Sequence, residues 1–227
     1  KILLAQINPI GGDVKGNYKQ LIDAWKRACE SKIDIIALPE MFLSGYPIDD
    51  LVLRGDFISS IEKHISKLAK LTLNGPAIIV GCPRKDNGII RNSVFILDNG
   101  EILGFRDKAK LPNEHEFYDN RQFVPGDLPG PILIRGIKFG VPICEDIWDP
   151  EVCECLKESG AEIILSINGS TYNIDKMEKR VNNVVSRAVE NDIPLIYLNL
   201  VGGQDELIFD GGSFAVNSCL LYTSDAA

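Results

Sequence analysis

Apolar residues follow two rhythms along this chain. Short β-branched runs recur, each followed by a stretch whose apolar positions return every three or four residues, and that alternation predicts layered α/β architecture. Lys1 to Asn8 reads as the first strand. Asn17 is placed to cap a helix whose Leu21, Trp25 and Ala28 share one face, and Ile33 to Leu38 returns as a buried strand. A second helix is predicted from about Phe57 to Leu71, with Ile58, Ile61, Ile65 and Leu68 as its stripe, before Ala77 to Cys82 reads again as strand.

The middle of the chain changes character. Ser93 to Leu97 and Glu101 to Phe105 flank Asp98-Asn99-Gly100, an Asn-Gly hairpin signal, so mixed sheets are expected rather than purely parallel ones. A turn at Arg135-Gly136 joins Ile132–Ile134 with Lys138–Ile143. Asp149 then caps a helix with Pro150 in its first turn, and Gly160 is placed to end it. Strand Glu162 to Ile167, a helix from about Asp175 to Glu190 with Val181, Val184, Val185 and Ala188 inward, and strands Leu195 to Leu200 and Ser213 to Val216 complete the series. Neither a Pro, Gly or Ser-rich linker nor a repeat divides it, which predicts one domain over residues 1–217. Residues 218–227, SCLLYTSDAA, carry no amphipathic period and read as an atypical tail. The chain starts inside one strand and stops just after another, so a C-terminally truncated piece of something longer is expected.

Composition narrows the partners. Hydrophobic residues make up 45% and charged residues 25% of 227, which suits a soluble globular domain with room for a core and a cleft. The formal charge is -8 with no clustered Lys and Arg, so neither nucleic acid nor an anionic membrane surface is an expected partner. The longest apolar stretches, Ile33–Pro39 and Ile137–Cys144, fall far short of the ~20 residues that span a bilayer, and the N-terminus does not resemble a secretion signal. Six irregularly spaced cysteines (Cys29, Cys82, Cys144, Cys153, Cys155, Cys219) do not form the framework of a secreted scaffold, which points to a reducing cytoplasm.

Ligands of α/β sheets gather where strands deliver their C-terminal ends. Glu40 follows IDIIALP, Lys108 follows EILGFRD, and Cys144 closes IKFGVPI. Each has a plain reading too: a cysteine after a strand is usually a small core hydrophobe, a glutamate there often caps a helix, and Lys108-Ala109-Lys110 reads as a solvated face. A nucleophilic cysteine needs a base, and the chain offers only His64, on the second amphipathic helix, and His115. With so few histidines, and with Cys153-x-Cys155 lacking CxxC spacing, no metal site is expected. If Cys144 reacts, a carboxylate in a partly dry pocket is the expected base, helped by a nearby ammonium that favours the thiolate.

At these residues the chain resembles the nitrilase superfamily of carbon-nitrogen hydrolases, which implies a Glu-Lys-Cys triad on an α-β-β-α sandwich. LPEMFLSGYP is similar to the segment of the family's general base, which gives that role to Glu40. FRDKAKLPN is similar to the lysine segment and points to Lys108 rather than Lys110, and GVPICEDIW is similar to the nucleophile segment around Cys144. EFYDNRQFVPGD resembles the loop of a supporting carboxylate, here Asp119 where the family usually has Glu.

Within the superfamily, GYPIDDLVLRGDF, LPNEHEFYDNRQF, CEDIW and NLVGGQDELIFDGGSF look most like the glutamine-dependent NAD synthetase branch. That likeness implies glutamine as substrate, with Tyr46, Phe117, Glu145, Ser170 and Lys176 around it, and Lys108 with the N–H of Glu145 facing a developing oxyanion. It implies no cofactor for amide cleavage. ATP, Mg and deamido-NAD would belong to a C-terminal synthetase domain, and homo-oligomers are the family's habit. Glu114 replaces a common aromatic, and Thr171 and Asp175 replace the usual Pro and Gly, which bears on substrate geometry. The alternatives are a stand-alone amidase acting on omega-amides or N-carbamoyl compounds, and a non-catalytic α/β binding domain with Cys144 merely buried.

Overall fold

Alternation along the early strands has apolar residues on both faces, so each strand has to be covered twice. Ile36 and Leu38 lie in one core with Leu21 and Ala28 of the first helix and Ile61, Ile65 and Leu68 of the second, whereas Ile35 and Ala37 lie in another with Ile143, Leu165, Ile167 and Leu198. The architecture that satisfies both is a sandwich of two sheets between two pairs of helices. The computed structural model describes residues 1–112 and 119–217 and the backbone of 222–223.

The first half contains β1 (Ile2–Leu4), α1 (Val14–Glu30), β2 (Ile35–Ala37), α2 (Gly55–Leu71), β3 (Ala77–Asp86), β4 (Ile89–Asp98) and β5 (Glu101–Asp107). Its sheet runs β1-β2-β3-β4-β5, parallel through β3 and antiparallel beyond it. The second half contains β6 (Ile132–Ile134), β7 (Ile137–Gly140), α3 (Pro150–Glu158), β8 (Ile163–Asn168), α4 (Lys176–Glu190), β9 (Leu195–Asn199), β10 (Val201–Gln204), β11 (Leu207–Asp210), β12 (Phe214–Val216) and β13 (Tyr222–Thr223). Here the order is β13-β12-β9-β8-β7-β6, with β7-β8-β9 parallel and a separate β10-β11 hairpin. A third core joins α3 and α4 to the outer face of this sheet through Val152, Leu156, Val184, Ala188, Ile164 and Phe214. The layers are therefore α-β-β-α, with mixed sheets as the Asn-Gly signal predicts.

Local chemistry accounts for the joints. Asn99 (φ 52°) and Gly100 (φ 83°) make the β4-β5 turn, and Arg135 (φ 49°) and Gly136 (φ 87°) make the β6-β7 turn, the left-handed pairs that two-residue hairpins demand. Asp149 caps α3 by accepting from the Glu151 N–H, with Pro150 leading. The cap of α1 differs from the sequence reading. Asp13, not Asn17, accepts the Gly16 N–H at 2.9 Å, while Asn17 lies buried within the helix and uses its amide to hold the backbone of Ile10 at 2.8 and 2.9 Å. A second Asn-Gly pair, Asn87-Gly88, turns β3 into β4, and β3 continues past Cys82 to Asp86. The β10-β11 hairpin has no counterpart in the sequence reading, because Val201-Gly202-Gly203 offers no alternation to read.

Candidate active site

The ends of β2, β5, β7 and β8 point to one corner of the sandwich. After β2 the chain turns sharply through Pro39, Glu40 and Met41, the last at φ 52°. The turn sits against Gly81 of β3, where a Cβ would stand 2.5 Å from Met41 N and 2.7 Å from Pro39 O, so only glycine leaves room for it. Glu40 is thereby fully buried, as is Lys108, which immediately follows β5.

Their meeting is direct. The Lys108 ammonium donates to Glu40 Oε1 at 2.8 Å and to Asp119 Oδ2 at 3.0 Å. Tyr46 donates its hydroxyl to the other Asp119 oxygen at 2.9 Å. Glu40 accepts two further bonds: Asn92 Nδ2 reaches Oε1 at 2.7 Å, and the Gly169 N–H reaches Oε2 at 2.7 Å. Burial alone would push the Lys108 ammonium down, but the charges of Glu40 and Asp119 overrule it and hold its pKa well above the ordinary lysine value. Lys108 is thus a fixed cation. Lys110 instead pairs at the surface with Asp149 and Glu151, each at 2.9 Å.

Cys144 comes into the same corner from the second sheet. Ile143 bridges to Ile167, and Cys144 then opens a short 3-10 turn in a left-handed conformation (φ 46°) that an L residue rarely adopts. Burial pushes its thiol well above the ordinary value and the Glu40 charge adds to that, while Lys108 and the Gly169 N–H pull it back. The resting state is therefore a neutral thiol beside a carboxylate and an ammonium. That set can pass a proton from sulfur to Glu40 and leave a thiolate facing Lys108.

Asp146 holds the two sheets' contributions in register. Its carboxylate accepts the N–H groups of Ala109 and Lys110 at 2.9 and 2.8 Å and that of Ile143 at 2.9 Å, so one buried side chain joins the segment after Lys108 to the turn that carries Cys144. Burial pushes its carboxyl up to about 6 even so.

The other expected substrate residues are spread around the corner. Tyr46 is buried against Phe209, and Ser170 and Thr171 follow Gly169 after β8. Glu145 is half-buried, its carboxyl pushed up by burial and pulled back by Lys108, with a smaller pull from Lys176. Lys176, the first residue of α4, donates to Thr171 Oγ1 at 3.2 Å. Phe117, like Glu114 and His115, lies outside the described residues. Among those described, no group of three or more His, Cys, Asp or Glu could hold a metal ion, and no helix is long and apolar enough to cross a membrane.

Asn92, Asp146, Gly169 and Arg180 were not singled out by the sequence reading. Two had a signal to offer: Asn92 breaks an apolar strand, and Arg180 sits one residue before Val181 on the inward stripe of α4.

A family model described as carbon-nitrogen hydrolase matches residues 1–219. The chain belongs to the carbon-nitrogen hydrolase family. Among curated relatives it is similar to the glutamine-dependent NAD(+) synthetase of Rhodobacter capsulatus, 37% identical over 217 residues that cover 96% of this chain and 39% of that protein. The same enzyme of Aquifex aeolicus is 39% identical over 218 residues, covering 95% of this chain and 38% of the relative. This carbon-nitrogen hydrolase thus spans less than half the length of these two curated relatives. Among solved structures, the glutamine-dependent NAD+ synthetase of Acinetobacter baumannii in complex with ADP aligns with a TM-score of 0.93 at 31% identity, covering 98% of this chain and 42% of that one. An amidase from Nesterenkonia sp. aligns with a TM-score of 0.85 at 25% identity, covering 97% and 83%.

Proposed function

We propose that this carbon-nitrogen hydrolase cleaves the side-chain amide of glutamine, giving glutamate and ammonia. The observation that carries the reading is the buried Lys108 bonded to both Glu40 and Asp119, with Cys144 electrostatically coupled to Glu40 and Lys108. The likeness to glutamine-dependent NAD synthetases supports glutamine as the substrate.

The chemistry runs in two halves. Glu40 takes the Cys144 proton, and the thiolate adds to the amide carbon, pushing an electron pair onto oxygen. Lys108 and the Glu145 N–H stabilise that oxyanion, a contact worth ~3 to 4 kcal/mol per donor in comparable sites. Glu40 returns the proton to nitrogen, ammonia leaves and a glutamyl thioester remains. Glu40 then draws a proton from water, which attacks the thioester and releases glutamate and the thiol. Asp119 keeps Lys108 in place throughout. Tyr46, Phe117, Glu145, Ser170 and Lys176 take the amino acid end of the substrate, where a carboxylate and an ammonium in one pocket complement a zwitterion.

In this reading residues 1–217 are the glutaminase domain, residues 218–227 are a tail outside it, and amide cleavage uses no cofactor. In the same reading the ammonia serves a C-terminal synthetase domain of the longer protein, to which ATP, Mg and deamido-NAD belong, in a cytoplasmic homo-oligomer. The likeness to the Nesterenkonia amidase favours a second reading, a stand-alone amidase with the same triad. A panel of glutamine, omega-amides, N-carbamoyl compounds and simple aliphatic amides separates the two: preference for glutamine supports the first. Unchanged turnover in Cys144→Ala excludes both.

A further inference from the structure

Among the described residues, Arg180 is the largest side chain buried without any exposure, and the proposed amide cleavage does not use it. A buried guanidinium persists only when its donors are filled. Here Nη1 donates to both oxygens of Asp210 at 2.8 and 3.0 Å. Nη2 donates to the carbonyls of Ser170 and Thr171 at 2.9 and 2.7 Å, and Nε to Ser170 Oγ at 3.2 Å. Asn199 grips the same residue from β9, accepting the Ser170 N–H at 2.9 Å and donating to its carbonyl at 3.1 Å. Asp210 closes β11, so Arg180 links α4 and the β10-β11 hairpin through the loop that follows β8.

That loop begins with Gly169, whose N–H donates to Glu40 Oε2 and favours the Cys144 thiolate. Gly169 has no slack: a Cβ there would stand 2.8 Å from the Tyr46 ring and 3.1 Å from Glu40 Oε2. A displacement of Ser170 therefore carries straight into the amide that Glu40 and Cys144 share.

We infer that Arg180, braced by Asp210, is a positioning residue that sets the Gly169 N–H against Glu40 and the Cys144 sulfur. The inference uses the proposed reactivity of Cys144 but not the identity of the substrate. The titratable groups that act on the sulfur are Glu40, Lys108, Glu145, Tyr46 and Tyr197, and the variants below keep all of them.

The test is the rate of Cys144 alkylation by iodoacetamide against pH, followed by peptide mass spectrometry, in the whole chain and its Arg180→Met and Asp210→Asn variants. Loss of the Gly169 donor should move the alkylation midpoint alkaline and slow labelling at neutral pH severalfold. Val184→Ala, on the same helix, should lower stability and leave the midpoint in place. Asp210 is partly exposed, so Asp210→Asn keeps the question open to measurement if Arg180→Met does not fold. Midpoints unchanged in Asp210→Asn, and in Arg180→Met where it folds, overturn the inference and leave the proposed function standing. Glutamine turnover undiminished in Cys144→Ala overturns both.

Discussion

The carboxylate of Asp146 and the main-chain N–H of Ala109 meet at 2.9 Å, and through that bond the residue after Lys108 is tied to the turn that carries Cys144. The tie crosses from one sheet to the other. It fixes the separation between Lys108 and Cys144 through one buried carboxylate bonded to the main chain on both sides.

This tie has a pH signature. Burial raises the Asp146 carboxyl from 3.8 to about 6, so between those values the folded chain holds a proton that the unfolded chain has lost. Stability from this group is complete below about pH 4 and falls as pH rises through 6, by at most about 3 kcal/mol for a shift of this size. Measured by urea denaturation, wild type should lose stability relative to Asp146→Asn across that window and run parallel to it outside. A difference independent of pH contradicts the burial argument.

Lys108 and Lys110 should part company on substitution. Lys108→Met leaves Glu40 and Asp119 buried without their cation, which should cost about 3 to 5 kcal/mol of stability and remove turnover. Lys110 is a surface ion-pair partner, and Lys110→Met should hold turnover within about twofold. Thermal melts and glutaminase assays of the pair check this, and equal effects would show that the corner does not depend on the buried ammonium.

Gly169→Ala is the smallest change expected to disable the corner. The new methyl would press on the Tyr46 ring and approach Glu40, shifting a donor that both reacting groups use. A kcat lower by about tenfold to a hundredfold is expected from such a displacement. Retention of wild-type kcat would mean that the loop yields without consequence.

How much of this was legible beforehand divides along physical lines. Glu40 and Cys144 each follow an apolar run and Lys108 follows a strand, so strand ends announced them one at a time. Their partners did not announce themselves, because Glu40 meets Asn92 52 positions away and Gly169 129 positions away, and no local pattern encodes bonds between residues so distant in the chain. The plain reading of Lys108 as a solvated side chain fails for the same reason: the carboxylates that justify its burial come from elsewhere in the chain. Secondary structure was legible where turn chemistry was sharp, as at Asn99-Gly100, and misjudged where two capping residues competed.

That competition is testable at the start of α1. Asp13→Ala removes the side-chain acceptor of the Gly16 N–H and should cost about 1 kcal/mol, read from urea denaturation. No loss of stability would mean that the cap contributes nothing beyond what the neighbouring Asn17 already holds.

The central claim is that Cys144 attacks a glutamine amide under the control of Glu40 and Lys108. Rapid acid quench of the chain with excess glutamine, followed by peptide mass spectrometry, reads it most directly. A glutamyl thioester on the peptide carrying Cys144, absent in Cys144→Ala and strongly reduced in Glu40→Gln, is the predicted result. Glutamine turnover with no adduct on that peptide, and undiminished in Cys144→Ala, would contradict it.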